Sequence, residues 1–479
     1  MHVYFLGICG TAMGNIAVLL KQLGNRVSGS DRKVYPPMSD VLRRNNIEIL
    51  EGVDADRLVS LDPDLVVVGN STVRGNEEFE WLLAEKKIPF TSLPALIHDQ
   101  LLKNRLSIVV AGTHGKTTTA TLTTFLLREN GVDPGYFIGG VPHDLPSGAS
   151  NGSPDAPFVI EGDEYDSALF DKRSKFIHYA PNIAIVNNIE FDHADIFRDL
   201  ADVQRSFNHF LRIVPDNGYI LLNGDDPAVA ALAPVSWGTT YRVGTGAGND
   251  LQIADFTESS AGAEFSLIWQ GKLWEKVRMP LGGIFNARNA AMAALAGALA
   301  EVPERVTDFK LSALADFRGV KRRQERLFSS EELLVIEDFG HHPTALKQAL
   351  QSFRTAYPDR KLTAIFEPRS NTSRRNIHQK ELIESLCEAD EIYLGPVSRP
   401  EMLSDRERLD LEAVTDELKK NGRFAAHFST NRDLLEELRT NTFDRDRAAR
   451  LVVFFSNGSF DGIIADYVSA AESRISERD

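Results

Sequence analysis

The sequence has few cysteines, no excess of positive charge and no long apolar run. Cys9 and Cys387 are the only cysteines among 479 residues, which excludes a disulfide framework and fits a reducing compartment. The formal net charge of −15 argues against a nucleic-acid surface, because phosphate backbones are held by basic patches. The longest run of small apolar residues, Ala290 to Ala300, is too short to cross a bilayer. A charged leader is also missing, so we expect a cytoplasmic protein with no nucleic-acid and no membrane partner.

Apolar strands alternate with amphipathic helices along the chain, and the length allows roughly three domains. We expect an α/β protein with a Rossmann-like domain over residues 1–105 and a P-loop ATPase-like domain over residues 106–320. A second Rossmann-like domain is expected over residues 321–479. The central domain should have a mostly parallel sheet with a small β-rich insertion over Tyr241 to Val277. The pattern leaves open whether the protein is a monomer or a homodimer.

A glycine-lysine-threonine loop, AGTHGKTTTA, starts at Ala111, after the apolar run Leu106 to Val110 and before a helical pattern. Such a loop binds phosphate through free N–H groups, a lysine charge and a hydroxyl that reaches magnesium. Its spacing is shorter than that of the commonest nucleotide loop, because the expected first glycine is replaced by Val110. The loop predicts ATP as a substrate, contacted by Gly112, Thr113, His114, Gly115, Lys116, Thr117 and Thr118.

A second glycine loop follows the first predicted strand and precedes a helix. Its glycines, Gly7, Gly10 and Gly14, lack the G-x-G-x-x-G spacing of dinucleotide-binding proteins. A nicotinamide-dependent dehydrogenase or sensor is one interpretation, and a site for a diphosphate-bearing substrate is the other. The stronger loop at Gly112 favours the second interpretation. The expected contacts are Gly7, Gly10, Thr11, Met13, Gly14, Ser30, Asp31 and Ser71.

Two acidic segments follow apolar strands in the central domain. One begins at Glu161 and includes Glu164, and the other runs from Asn187 through His193 to Asp195. Because ligands bind at the carboxyl ends of parallel strands, both segments should lie beside the phosphate loop. Magnesium prefers oxygen ligands, so Thr117 with Glu161 or Glu164 predicts a Mg²⁺ site. His193 is a less usual ligand for this ion.

Seven separated motifs resemble, in order, those of the ATP-dependent Mur ligases. They read AGTHGKTTT, EGDEYDSALF, NNIEFDHADIF, NARNA, FRGVKRR, EDFGHHP and SNG. Within the family, the segments GTAMGN, VYPPMS, FDKRSKF and PRSNT resemble the branch that adds a murein tripeptide rather than the branch that adds L-alanine. Folate and cyanophycin-type ligases are more distant alternatives.

The resemblance implies an ADP-forming ligase of peptidoglycan recycling. It would join UDP-N-acetylmuramate to L-Ala-γ-D-Glu-meso-diaminopimelate through an acyl phosphate, with ATP as a substrate and Mg²⁺ as a cofactor. Lys116, Glu161 and His193 would be catalytic, since two anions must be brought together. Thr117 and Glu161 would hold one metal ion and His193 a second, with Glu164 as another candidate ligand.

The resemblance also assigns residues to the two ends of the reaction. Asn286 and Asn289 would contact adenine, Asp338 the ribose, and Arg322 or Arg323 the phosphates, with His341 and His342 beside the nucleotide. The amine substrate would be sorted by loops of the third domain that contain Arg369, Arg374, Arg399 and Glu401. No lysine occurs between Arg198 and Asn223, so the carbamylated lysine of several family members is not expected.

Overall fold

The computed structural model describes residues 1–444 and 448–476, so residues 445–447 and 477–479 of the third expected domain lie outside the described residues. Three separate sheets follow one another along the chain, each flanked by helices. Apolar runs such as His2–Leu6 and Ser107–Ala111 are buried along their whole length, as expected for strands covered on both faces. The expected three-part α/β architecture is confirmed.

The first sheet is wholly parallel, with the strand order β3-β2-β1-β4-β5. Its strands are β1 His2–Leu6, β2 Arg26–Asp31, β3 Glu48–Glu51, β4 Leu65–Val68 and β5 Phe90–Ser92. Its helices are α1 Thr11–Gln22, α2 Met38–Arg44, α3 Asp56–Leu61, α4 Glu77–Glu85 and α5 Leu93–Ile97. The strand order reverses between β1 and β4, and the loops after these strands open at that point.

The second sheet has ten strands in the order β17-β16-β15-β14-β13-β12-β6-β9-β7-β8. Its strands are β6 Ser107–Ala111, β7 Gly135–Phe137, β8 Ala149–Ser150, β9 Phe158–Gly162, β12 Ile183–Val186, β13 Tyr219–Asn223, β14 Thr239–Gly244, β15 Leu251–Ser259, β16 Gly262–Trp269 and β17 Lys272–Met279. The hairpin β10 Asp166–Ala168 and β11 Asp171–Ser174 stands apart from it. The helices are α6 Lys116–Glu129, α7 Leu200–Leu211, α8 Pro227–Ala230 and α9 Ile284–Glu301.

The predicted β-rich insertion continues the central sheet. Strand β14 pairs in parallel with β13, while β16 pairs antiparallel with β15 and β17. The small-residue run Ala290 to Ala300 belongs to α9, whose small side chains let it pack closely against α6 within the core of this domain. Within the part of the chain that the structure describes, no helix is both long and apolar enough to cross a membrane.

The third sheet has the order β18-β19-β23-β20-β21-β22, parallel except for the edge strand β18. Its strands are β18 Glu325–Ser329, β19 Leu333–Asp338, β20 Lys361–Phe366, β21 Glu391–Leu394, β22 Phe424–His427 and β23 Arg450–Phe455. The helices are α10 Pro343–Ala356, α11 Gln379–Leu386, α12 Leu411–Lys420, α13 Asn431–Arg439 and α14 Ile463–Ser476. Short 3₁₀ or π turns are His98–Leu102, Lys175–His178, Pro303–Asp308, Ser312–Asp316, Asn376–His378, Pro400–Met402, Thr440–Asp444 and Phe460–Gly462.

Strand order in the central sheet places the predicted site at the carboxyl ends of three neighbouring strands. Strand β6 lies between β12 and β9, and Ala111 at its carboxyl end is in register with Val186 and Gly162. The three loops that follow these strands therefore start side by side.

Candidate active site

The phosphate loop needs glycine at two positions. Gly112 and Gly115 have φ values of +139° and +81°, a range that other residues rarely adopt. A Cβ atom on Gly115 would lie 2.6 Å from Asn289 Oδ1, too close for an ordinary contact. This tight turn lets α6 begin at Lys116, where the first N–H groups of the helix are free to bind an anion.

The segment after β12 holds the phosphate loop in place. The His114 N–H donates to Asn188 Oδ1 at 2.7 Å, and Asn188 Nδ2 donates back to the His114 carbonyl at 3.1 Å. The Glu190 N–H donates to Thr113 Oγ1 at 2.9 Å. Asn188 has a defined role here that the sequence alone did not identify, although it lies in the NNIEFDHADIF motif.

Lys116 points across the loop toward a buried carboxylate. Its Nζ donates to the Gly112 carbonyl at 2.6 Å and to Glu164 Oε2 at 2.9 Å. Burial lowers the pKa of Lys116, but the carboxylates of Glu164, Asp163 and Glu161 together outweigh burial and hold that pKa above its usual value. Lys116 is therefore a fixed positive charge beside the free N–H groups of α6.

Glu161 lies on the other side of the helix start. Its Oε2 accepts from Thr117 Oγ1 at 3.0 Å, and its Oε1 accepts from the Gly139 N–H at 2.6 Å. Burial raises the pKa of Glu161 by more than the Gly139 N–H, the Thr117 hydroxyl and the charges of Lys116 and Arg323 lower it. A carboxylate and a hydroxyl this close are suitable oxygen ligands for a divalent cation, which would favour the charged form of Glu161.

A second cluster of ligand atoms lies next to Lys116. Asp163, Glu164 and His193 each have one such atom, and these atoms lie within 4.8 Å of one another. His193 Nε2 is 3.3 Å from Glu164 Oε1, and its backbone has a φ of +53°. Burial opposes protonation of His193, but Glu164 raises its pKa above the usual value. The mixed carboxylate and imidazole set fits a divalent cation, and Glu164 belongs to this cluster rather than to that of Glu161.

One cavity of about 790 Å³ connects these groups and is lined by all three domains. The first domain contributes Gly10, Thr11, Met13 and Ser71 of the predicted residues. The central domain contributes Thr113, His114, Gly115, Lys116, Thr117, Thr118, Glu161, His193, Asn286 and Asn289. Arg322, Arg323, Asp338 and His341 come from the start of the third domain. Its volume lies within the range of about 300–1,000 Å³ that is typical of small-molecule and cofactor pockets.

The end of the cavity near α9 is rich in amide and carboxylate groups. Asn286 Nδ2 donates to Gln324 Oε1 at 3.0 Å, and Asn289 Nδ2 lies 3.3 Å from Asn286 Oδ1. Asp338 accepts from the Gln324 and Gly340 N–H groups at 2.9 and 2.6 Å. Gln324 thus joins the predicted residues here, although nothing in the sequence singled it out.

Of the two linker arginines, Arg322 is held by the third domain. Its Nε donates to Glu337 Oε1 at 2.6 Å, and its guanidinium also donates to the Ser456 and Gly458 carbonyls. Both guanidinium groups lie over the ring of Phe339, with 5.2 Å from Arg322 Cζ and 4.4 Å from Arg323 Cζ to the ring centroid. The geometry therefore leaves Arg323 as the guanidinium that is available to a ligand.

Four residues of the first glycine loop and its neighbouring strand do not line the cavity. Gly14 is buried in α1, where a Cβ atom would overlap Met38, and Gly7 forms the turn with a φ of +83°. Ser30 donates its hydroxyl to buried Glu78 at 2.5 Å, and Asp31 accepts from the Cys9 N–H at 2.9 Å. These groups shape the loop, while Gly10, Thr11, Met13 and Ser71 face the open space.

The four residues expected to sort the amine lie outside this cavity. Arg374 is 3% exposed and donates to Asn371 Oδ1 and to the carbonyls of Ser398 and Arg399, so it braces the surrounding loops. Arg369 Nη1 lies 3.4 Å from Glu367 Oε1. Arg399, with a φ of +49°, and Glu401 flank the start of a short helical turn. Lys175, which belongs to the FDKRSKF segment but was not assigned a role, and Tyr179, which lies in none of the motifs, line the cavity instead.

The two adjacent histidines face different partners. His341 Nε2 lies 3.8 Å from Asp192 Oδ2, and its Nδ1 lies 3.1 Å from the Phe339 carbonyl. His342 is 7% exposed, and its Nδ1 lies 2.8 Å from Glu190 Oε2. His341 lines the large cavity, and His342 lies behind it against the phosphate loop.

Relatives resemble this chain over nearly its whole length. The UDP-N-acetylmuramate–L-alanyl-γ-D-glutamyl-meso-2,6-diaminoheptandioate ligase of Escherichia coli K12 is 39% identical over 467 residues, covering 97% of this chain and 96% of its own length. A UDP-N-acetylmuramate–L-alanine ligase of Desulfosudis oleivorans is 31% identical over 397 residues and 83% of each chain. The crystal structure of a murein peptide ligase from Psychrobacter arcticus superposes with a TM-score of 0.68 at 34% identity, covering 98% of each chain.

Family models match three consecutive parts of the chain. Residues 2–104 match the Mur ligase family catalytic domain, residues 110–297 the Mur ligase middle domain, and residues 322–458 the Mur ligase glutamate ligase domain. These matches decide against the nicotinamide-dependent dehydrogenase and confirm an ATP-dependent, ADP-forming ligase, a reaction that also implies a divalent metal ion. The chain belongs to the Mur ligase family.

Proposed function

We propose that this enzyme joins UDP-N-acetylmuramate to L-alanyl-γ-D-glutamyl-meso-diaminopimelate at the expense of ATP, as a step of peptidoglycan recycling. The observation that carries this proposal is the single cavity in which the Lys116 loop, the Glu161 pair and the His193 cluster meet residues of the first and third domains. The relative from Escherichia coli, at 39% identity, is named for the same pair of substrates.

ATP is proposed to bind between the phosphate loop and α9. The N–H groups at the start of α6 and the Lys116 ammonium would hold its phosphates. Asn286 and Asn289 would contact adenine, and Asp338 the ribose. Both linker arginines line the cavity, and Arg323 would contact the phosphates because the guanidinium of Arg322 is already bound by Glu337.

Mg²⁺ is the proposed metal ion at both acidic clusters. Thr117 and Glu161 would hold one ion, and Glu164 and His193 the second, with Asp163 close by. Bound there, the ions would neutralise charge on the transferring phosphoryl group. Glu164 also fixes Lys116 and His193 relative to each other through contacts of 2.9 and 3.3 Å.

The chain's own residues bring two anions together. The lactyl carboxylate of the muramate attacks the γ-phosphorus of ATP, and the bond from this phosphorus to the bridging oxygen breaks. ADP is released, and the muramate becomes an acyl phosphate. The free amine of the tripeptide then attacks the acyl carbon, phosphate leaves, and the amine releases a proton as the amide forms. Lys116 would stabilise the charge that develops in the first step, because its ammonium is held rigidly beside the loop.

The substrates would enter from opposite sides. Gly10, Thr11, Met13 and Ser71 line the cavity at the first domain and would hold the UDP-linked sugar. The loops with Arg369, Arg399 and Glu401 lie on the third domain and would receive the tripeptide, with Arg374 holding these loops in place through its hydrogen bonds.

We propose the same domain limits as in the sequence analysis, 1–105, 106–320 and 321–479, and a cytoplasmic location, where ATP is supplied.

Phosphate release tests the proposal. The full-length enzyme would be given ATP, Mg²⁺ and UDP-N-acetylmuramate, with either the tripeptide or L-alanine as the amine. Release above the amine-free rate with the tripeptide and not with L-alanine is expected. Release with L-alanine alone would contradict the proposal and would support the L-alanine ligase, for which the relative at 31% identity is named.

A further inference from the structure

Three ligand-bearing side chains from separate parts of the chain meet behind the phosphate loop. His114 belongs to the loop itself, and Glu190 to the segment after β12. His342 is the residue that immediately precedes α10 in the third domain. Glu190 Oε2 lies 3.1 Å from His114 Nε2 and 2.8 Å from His342 Nδ1. One ligand atom from each residue falls within 4.8 Å of the other two.

The donor set differs from that of the two proposed magnesium sites. It contains two imidazole nitrogens and one carboxylate, which suits Zn²⁺ and its first-row neighbours rather than Mg²⁺. His342 is 7% exposed, and its Nδ1 lies 2.8 Å from the same Glu190 oxygen that His114 Nε2 approaches. Two imidazole nitrogens that converge on one carboxylate oxygen bring three ligand groups to one point, which is the arrangement of a metal-ligand set.

We propose that His114, Glu190 and His342 form a binding site for a first-row transition-metal dication of the Zn²⁺ type. Three protein ligands would leave one position of a tetrahedral ion open to water. The site shares no residue with the Thr117–Glu161 pair or with the cluster of Asp163, Glu164 and His193. It is therefore a third metal site, distinct from those that the ligase reaction uses.

An ion at this site would connect two domains. His114 lies in the phosphate loop, and His342 immediately precedes α10, so the ion ties the central domain to the third domain. His114 also lines the large cavity, whereas His342 lines a smaller pocket with Asp192, His341 and His378. An ion held between them resists any movement that separates the phosphate loop from α10, so bound Zn²⁺ should slow turnover.

Co²⁺ is the probe for this site, because its visible absorption distinguishes four-coordinate nitrogen-containing sites from six-coordinate oxygen sites. The chelator-treated full-length enzyme would be titrated with Co²⁺ without ATP, and Zn²⁺ would then be added in competition. One equivalent of Co²⁺ with the intense four-coordinate bands is expected, displaced by one equivalent of Zn²⁺. Zn²⁺ should also raise the Tm, since an ion that binds only the folded chain stabilises it.

Two ligand variants and two matched variants locate the ion. His342→Ala removes one ligand, and Glu190→Gln keeps the size of the side chain while weakening another. Each should lower Co²⁺ affinity by about 100-fold or more, because changes even outside the ligand set cost about 10–100-fold. His341→Ala removes the neighbouring imidazole, and His193→Ala disables the proposed second magnesium site. Both should keep the four-coordinate bands.

Three outcomes would overturn the proposal. The first is a wild-type titration without four-coordinate bands. The second is unchanged Co²⁺ affinity in His342→Ala and Glu190→Gln, with circular dichroism showing that both are folded. The third is loss of the bands in His193→Ala, which would assign the ion to the cluster of Asp163, Glu164 and His193. If His342→Ala does not fold, Glu190→Gln alone decides between the outcomes.

Discussion

Lys116 is the side chain whose removal should cost the most turnover. Its ammonium is held between the Gly112 carbonyl and Glu164 beside the start of α6, where phosphate charge would develop. Lys116→Ala should lower kcat by about 1,000-fold, the upper part of the loss seen when one preorganised donor is removed from an active site. Steady-state phosphate release measures this loss. The matched variant Lys420→Ala removes an exposed ammonium that pairs with Glu417 in the same helix, and it should retain the wild-type rate.

His341 should make the stability of the protein depend on pH. Burial lowers the pKa of His341 to about 4, whereas histidine in an unfolded chain titrates near 6.5. Between these two values the unfolded chain binds a proton that the folded chain does not, so stability falls as the pH is lowered through this window. His341→Gln removes that proton-binding difference. Its free energy of unfolding, measured by urea denaturation, should fall less between about pH 7 and about pH 5 than that of the wild type. Parallel curves for the two proteins would show that His341 contributes nothing.

The phosphate loop depends on a neighbouring loop for its shape. Asn188 makes two hydrogen bonds with the backbone of His114, at 2.7 and 3.1 Å. Asn188→Ala removes both, and at about 1 kcal/mol each this would weaken ATP binding by up to about 30-fold. Calorimetric titration with a non-hydrolysable ATP analogue measures the change. Asn208→Ala, which removes an amide bonded to the Gln204 carbonyl in its own helix, is the control and should bind the analogue normally.

Some strands could be predicted from the sequence and others could not. Strands such as β6 and β23 are continuous apolar runs because both faces of the sheet are covered by helices. The hairpin of β10 and β11 reads DSA and DKRS, short and polar, and has no periodicity that marks it as extended. The sequence pattern therefore does not predict where this hairpin lies.

The same limit applies to the site. Lys116, Glu161 and His193 could be grouped in advance, since each lies at or after the carboxyl end of one of three neighbouring parallel strands. Ser30 also follows that logic, yet its hydroxyl is bonded to Glu78, 48 residues away in the sequence. Which partner a polar side chain finds depends on tertiary packing, and neither spacing nor motif contains that information. Arg374, turned inward among carbonyls, is a second instance.

At the scale of the whole molecule, the segment that contains His193 is in direct contact with the third domain. Asp195 Oδ2 accepts from Asn371 Nδ2 at 3.0 Å and from the Tyr165 hydroxyl, so one carboxylate links the segment of His193 to the third domain. The Phe191 carbonyl, in the same segment, lies 2.9 Å from His378 Nε2. Movement of the third domain therefore acts directly on the loop that contains His193, a proposed metal ligand.

Asn371→Ala should weaken the contact between the central and third domains without removing any proposed ligand of ATP. We expect the wild-type enzyme to become more compact in small-angle scattering when an ATP analogue and UDP-N-acetylmuramate bind, because hinge closure completes many active sites. The variant should compact less and lose about tenfold in kcat, since the lost hydrogen bond to a charged group is worth about 1.5 kcal/mol. Asn376→Ala removes an amide that bonds to the Arg406 carbonyl within the third domain, so it should behave as the wild type. Equal compaction in Asn371→Ala and the wild type would mean that the Asp195 contact does not hold the domains together.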